Sequence, residues 1–185
     1  MSSEIEAKLK VESLPEIERR LAELGAEFVA EQRQIDCYFD DARTSLTGTD
    51  RCLRLRRQLT DHSERTFLTY KGAKEGGQFK RRQEIEIEIT DADSIEKLLL
   101  ALGYTKVLAF EKERRAWRLG RCIVALDRLP LLGSFVEIEG PDDEAIANVR
   151  ARLLLASVPH TGRSYAALME EKLHQLGRKE REVLL

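Results

Sequence analysis

Apolar and polar residues alternate along this chain with two distinct periods. At a spacing near 3.6, Leu14, Ile17, Leu21 and Leu24 share one helical face, with Ser13 placed to cap the start, Pro15 in the first turn and Gly25 as a stop. Ile95, Leu98, Leu99 and Leu102 repeat the formula between Asp93 and Gly103. The spacing predicts two further helices, from 142 to about 155 and from 164 to about 176. Between the helices the period drops to two, which is the strand signal. Nine strands are expected, over 5–9, 27–32, 35–39, 52–57, 66–71, 84–89, 107–117, 123–126 and 135–139, with Gly72, Gly76, Gly77, Gly120 and Gly133 at the turns. Most strand-to-strand connections are too short for crossovers, so the fold class is α+β with antiparallel pairing.

The polar positions of these strands are almost all ionisable. Glu4, Glu6 and Lys8 share one face of the first strand while Ile5, Ala7 and Leu9 share the other. Arg54 and Arg56 oppose Leu53 and Leu55, and Glu84, Glu86 and Glu88 oppose Ile85, Ile87 and Ile89. Lys71, Lys112, Arg114, Asp127, Glu137 and Glu139 continue the pattern. One such strand is what any half-solvated sheet gives. Strand after strand with an almost purely ionisable polar face is different, because carboxylates two residues apart repel unless cations neutralise them. The pattern predicts an inverted barrel, with helices on an apolar outside and charges around an interior tunnel. Lys8, Arg54, Arg56, Lys71, Lys80, Arg82, Lys112 and Arg114 would meet the acids there. Arg and Lys grip phosphate oxygens, and carboxylates hold hard divalent cations, so the mixture suits a metal-chelated polyphosphate.

Composition narrows the setting. The chain has 185 residues, enough for one domain with its own core. Charged residues make up 35% of it, yet the formal net charge is only −2, which excludes a bulk basic surface for nucleic acid. Cys37, Cys52 and Cys122 lack CxxC spacing, and His62, His160 and His174 lack ligand spacing, so neither zinc nor a disulfide framework is expected. The N-terminus has no secretory pattern and no apolar run is long enough for a membrane span, which makes a cytoplasmic protein the expectation. No P-loop and no dinucleotide fingerprint is present, and the Gly-rich stretch 70–77 reads as a hairpin loop. Any phosphate grip must come from strand side chains.

Taken in order, these residues resemble the CYTH superfamily of triphosphate tunnel metalloenzymes. The resemblance begins at Glu4-x-Glu6-x-Lys8 and runs through 34–39, Leu53-Arg54-Leu55-Arg56, 68–72 and Lys80-x-Arg82-x-Glu84-x-Glu86. It continues through Glu111-Lys112-x-Arg114, 124–127 and 132–139 to Ser164-Tyr165, and is most similar to the class IV adenylyl cyclase-like branch. It implies a closed antiparallel barrel, one domain over 1–177 with a tail at 178–185, and chemistry dependent on Mg²⁺ or Mn²⁺. Glu4, Glu6, Glu137 and Glu139 correspond to the family's metal acids, with Asp127 and Glu84 or Glu86 assisting. Lys8, Lys71 and Lys112, with Tyr38, are the implied catalytic candidates, and Arg54, Arg56, Lys80, Arg82 and Arg114 the implied phosphate ligands. The leading expectation is an adenylyl cyclase-like enzyme converting ATP to cyclic AMP and pyrophosphate. The alternative is a triphosphatase acting on thiamine triphosphate, tripolyphosphate or a nucleotide, and behind it stands a non-catalytic polyphosphate binder. Some family hydrolases orient water with a Tyr–Lys pair, but the cyclases carry a tyrosine there too, so Tyr38 does not decide. A homodimer is the default expectation for assembly, and the 178–182 charge run reads as a solvated helix end.

Overall fold

The computed structural model describes residues 2–185; Met1, where the expected domain begins, lies outside them. In chain order the elements are β1 (Ser2–Val11), α1 (Leu14–Glu23), β2 (Glu27–Asp41), β3 (Cys52–Leu59), β4 (Glu64–Lys71) and β5 (Lys80–Ile89). There follow α2 (Ala92–Ala101), β6 (Tyr104–Leu119), β7 (Cys122–Leu129), β8 (Gly133–Glu139), α3 (Asp143–Arg152), β9 (His160–Thr161), α4 (Tyr165–Gln175) and β10 (Glu182–Val183). Helix starts follow the capping rule, with Ser13, Asp91, Asp142 and Ser164 each accepting from a backbone N–H three residues on. Just past the ends of α1, α2 and α4, Gly25, Gly103 and Gly177 take the left-handed conformation that closes the last turn.

The eight long strands pair in the cyclic order β6-β2-β3-β4-β5-β1-β8-β7, and β7 returns to β6 to close an antiparallel barrel. Eight strands enclose an interior just wide enough for side chains or one small ligand. Ile5, Ala7 and Leu9 of β1 face outward with Val124, Leu126, Val136 and Ile138, and bury against Ile17 and Leu21 of α1 and Ile146, Val149 and Leu153 of α3. Each of the larger side chains, the Ile, Leu and Val, contributes roughly 1.5–3 kcal/mol by leaving water. α2 covers another part of the wall through Leu99, which meets Phe39 and Leu55. α4 lies across one mouth, where Tyr165, Met169 and Leu173 pack on Leu108, Phe110 and Phe135, residues on the inward face of their strands.

The structure departs from the sequence expectation in four places. The segments 27–32 and 35–39 form the single strand β2, paired with β6 along its length, with register shifts at Phe28/Ala30 and Tyr38/Phe39. No Gly or Pro interrupts it, and the broken alternation at Arg33-Gln34 marks a change of burial, not a turn. The helical stripe of α2 is only partly used, since Leu98 and Leu102 are exposed. Ile85 and Ile87 on the outer face of β5 are also uncovered. Lastly, the tail is no helix end: β10 pairs in parallel with β6, Val183 is buried, and the Leu185 N–H donates to Glu111. That docking fills the edge of β6 that β7, paired only from Glu113 onward, leaves free.

Candidate active site

Barrel closure carries the charged faces inward around one chamber of about 500 Å³. Lys8, Tyr38, Lys71, Lys112, Arg54, Arg56, Lys80, Arg82 and Arg114 all line it, as do Glu4, Glu6, Glu84, Glu86, Glu137 and Glu139. Asp127 does not. It lies fully buried behind the wall, where Arg114 grips both its oxygens at 2.7 and 2.5 Å and the Tyr165 hydroxyl donates to it at 2.8 Å. Its carboxylate holds Arg114 in position. Glu88, third in the β5 row, also lies apart and pairs with Arg65 at the surface.

Cations and acids alternate around the chamber because register sets them on adjacent strands. Lys8 Nζ sits 3.1 Å from Glu137 and 3.6 Å from Glu6, donates to the Arg163 carbonyl, and lies 4.1 Å above the Tyr165 ring. Lys80 pairs with Glu6, and Lys71 lies 2.5 Å from Glu4 and 3.1 Å from Glu84. Arg56 forks onto Asp36 at 2.6 and 2.8 Å. Arg114 reaches Glu137 as well as Asp127. Arg82 is largely committed, to the Asp50 carboxylate at 2.6 Å and to the carbonyls of Asp50 and Gly72. Arg54 is freer: it lies 3.2 Å from the Thr69 hydroxyl, with Glu86 at 3.6 Å and Asp36 at 3.9 Å, and its Nε has no acceptor among the described residues.

This crowding moves proton affinities in opposite directions. Burial alone would raise the Glu6 carboxyl, but Lys8 and Lys80 outweigh it and bring it down to about 2. The same acids hold the Lys8 ammonium above its ordinary value despite burial. Lys112 moves the other way: burial, and then the neighbouring Arg114 guanidinium, depress it to about 7. Partial loss of solvation on the chamber lining, and then the Glu4 carboxylate, push Glu139 up to about 7, although its side chain still reaches solvent.

Carboxylates are the ligand type a hard divalent cation prefers, and several line the chamber. Glu139 is paired with no cation among the described residues, and its raised affinity for a proton marks it as a carboxylate short of positive charge. Glu4, Glu6 and Glu84 surround it electrostatically. Among the described residues no compact group of three or more ligating side chains is already drawn together, and lysines occupy most of the acids.

Three participants carry no assigned role in the sequence reading. Asp36, nearly inaccessible to solvent, anchors Arg56. Tyr165 spreads its ring under Lys8 and Lys112, 4.1 and 4.9 Å from their nitrogens. Glu170 lines the chamber from α4. Tyr38 stacks on Phe110 at 5.5 Å, and among the described residues it makes no side-chain hydrogen bond to a lysine.

Comparison with known proteins agrees with this architecture. A profile of the CYTH domain matches residues 2–159. A protein of Methanocaldococcus jannaschii, provisionally named an adenylate cyclase, is 31% identical over 136 residues, spanning 74% of this chain and 75% of its own. The adenylate cyclase CyaB of Aeromonas hydrophila is 30% identical over 180 residues, 92% of this chain and 90% of its own. Among solved structures, the PH1819 protein of Pyrococcus horikoshii superposes with a TM-score of 0.81 at 32% identity, covering 91% of this chain and 99% of that one. A Hippeastrum protein, provisionally named an adenylyl cyclase and described as having a dominant triphosphatase activity, shares the fold with a TM-score of 0.68 at 18% identity, covering 96% and 97%. With the profile matched over most of its length and its charged barrel faces turned inward, the chain belongs to the CYTH family.

Proposed function

We propose that this protein is a divalent-metal-dependent enzyme acting on a triphosphate inside the barrel, with ATP converted to cyclic AMP and pyrophosphate as its reaction. The observation that carries the reading is the chamber wall itself, where cations and acids interleave in nearly matched numbers, with Lys8, Arg54, Arg82, Lys112 and Glu6 buried. A pure anion site would gain nothing from the acids. The relatives at about 30% identity named as adenylate cyclases support the cyclase reading.

In this scheme Glu139, with Glu4, Glu6, Glu84, Glu86 and Glu137, would hold Mg²⁺ or Mn²⁺, which would neutralise charge on the phosphate oxygens. Arg54, with a free Nε, and Arg114 bind non-reacting phosphate oxygens by their planar forks. Lys8 and Lys71, both held protonated by neighbouring acids, act as fixed positive charges where pyrophosphate departs. Lys112 titrates near neutrality, so its Nζ can accept the proton of the attacking 3′-hydroxyl. The 3′-oxygen then bonds to the α-phosphorus as the bond to the β-phosphate oxygen breaks. Positioning supplies most of the acceleration in such a transfer.

A triphosphatase is the second reading, favoured by the activity described for the Hippeastrum neighbour. The test is to incubate purified protein with ATP, thiamine triphosphate or tripolyphosphate, with Mg²⁺ or Mn²⁺, and to separate the products. Cyclic AMP with pyrophosphate is expected. Orthophosphate release instead would establish the second reading, and absence of turnover on all three would refute both.

A further inference from the structure

Alternation along β4 puts Arg65, Phe67, Thr69 and Lys71 on one face of the strand. Thr69 is the one hydroxyl among the four, it has no exposed surface, and nothing in the charge pattern calls for it. Register sets it midway between a cation and an acid, opposite Arg54 of β3 on one side and Glu86 of β5 on the other. Arg54 donates to the Thr69 hydroxyl at 3.2 Å, and the hydroxyl donates its own hydrogen to Glu86 at 2.8 Å. A hydroxyl both gives and receives, so the two bonds form at once. Arg54 and Glu86 themselves stand 3.6 Å apart, beyond hydrogen-bond reach. In the adjoining rows opposite charges close directly: Lys71 lies 3.1 Å from Glu84, and Arg65 lies 2.6 Å from Glu88. A buried guanidinium with a carboxylate this near would close in the same way if nothing stood between them, because attraction strengthens away from water.

We propose that Thr69 is a positioning residue, a spacer whose hydroxyl keeps Arg54 and Glu86 from closing into an ion pair and so leaves the guanidinium available to an anion in the chamber. This rests on the triphosphate reading of the chamber, in which Arg54 binds a phosphate oxygen. Being wholly buried, Thr69 touches no substrate and acts through its two partners. A closed pair would occupy the fork of Arg54 with Glu86, and an incoming phosphate would have to break that pair before it could bind. The hydroxyl satisfies one bonding position on each partner without neutralising either charge.

Thr69→Val removes the hydroxyl and keeps the shape of the side chain. Calorimetric titration with tripolyphosphate and Mg²⁺ is expected to show roughly ten-fold weaker binding in this variant, the scale of one hydrogen bond to a charged group. Thr69→Ser, which keeps the hydroxyl, should bind as wild type does. The melting temperature of Thr69→Val should fall by no more than about 2 °C, because the closed pair replaces the two bonds lost. A double-mutant cycle separates a spacer from a hydroxyl that only supports the fold. In a Glu86→Gln background no ion pair can close on Arg54, so adding Thr69→Val should cost little further affinity. Wild-type affinity in Thr69→Val, an equal loss in both backgrounds, or a melting temperature that falls in step with the affinity would overturn the spacer. Failure of the wild-type protein to bind tripolyphosphate would instead overturn the triphosphate reading beneath it.

Discussion

Replacing Asp36 by Asn would remove one negative charge from an enclosed ion pair of the barrel. Asp36 is 1% exposed, forks with Arg56 at 2.6 and 2.8 Å, and faces Arg54 at 3.9 Å. Burial opposes its ionisation, yet the two guanidinium groups hold its carboxyl well below the usual range. Removing one partner of a buried pair costs about 3–5 kcal/mol, because the remaining charge is left uncompensated. Asn still offers one acceptor to Arg56, so the lower end, about 3 kcal/mol, is expected. For a domain of this size each kcal/mol lowers the melting temperature by about 2–4 °C, which gives a fall of about 6–12 °C. Circular dichroism melts read this directly. Adding tripolyphosphate with Mg²⁺ should recover more stability in the variant than in the wild type, because the freed guanidinium groups gain an anionic partner. A fall of less than about 2 °C would refute the reasoning, since the pair would then be worth no more than a surface ion pair.

Three further outcomes are expected. Glu6 titrates near 2 in the fold against an ordinary 4.5, so its stabilisation is complete above about 4.5 and drains away as pH falls toward 2; the urea midpoint should drop through that window, and Glu6→Gln, with nothing left to protonate there, should flatten the slope. The Glu139 carboxyl has the opposite sign: raised to about 7, it favours the fold most at low pH and progressively less as pH rises from 4.5 through 7. Glu139→Gln should therefore melt no lower than wild type at pH 8 while needing several-fold more Mg²⁺ for half-maximal turnover, and an unchanged Mg²⁺ requirement would remove Glu139 from the metal set. Tyr165→Phe keeps the ring under Lys8 and Lys112 but leaves a buried Asp127 oxygen without its 2.8 Å donor, so denaturant titration should show a loss of about 1–3 kcal/mol.

Glu84, Glu86 and Glu88 show how far sequence reaches into the site. Alternation puts all three on one face of β5, yet Glu84 meets Lys71 and Glu86 meets Arg54 in the chamber, while Glu88 pairs with Arg65 outside it. Face is a local property of the strand; depth along the barrel depends on where the neighbouring strands begin. Tyr165 belongs to the family motif, but its role in the site is illegible in sequence for a related reason. With Met169 and Leu173 it forms an ordinary buried helical stripe, and only the seating of α4 across the mouth brings its ring beneath two lysines. Asp36 likewise sits amid a strand whose alternation is broken nearby, and its role appears once register sets it opposite Arg56.

Local patterning was enough for the four helices, the stretches that form the barrel strands and the inward side of each charged strand, because side-chain direction follows from the period of the backbone alone. The continuity of β2 and the parallel pairing of the tail were not legible. The sequence also carried the ordered motif from Glu4 to Tyr165 by which the family can be recognised. Closure of the barrel decided the rest: which cation meets which acid, that Asp127 braces Arg114 from behind the wall, and that Glu139 is left without a cation among the described residues. Those are properties of residues far apart in the chain, and their energies depend on distance and burial that no single strand possesses.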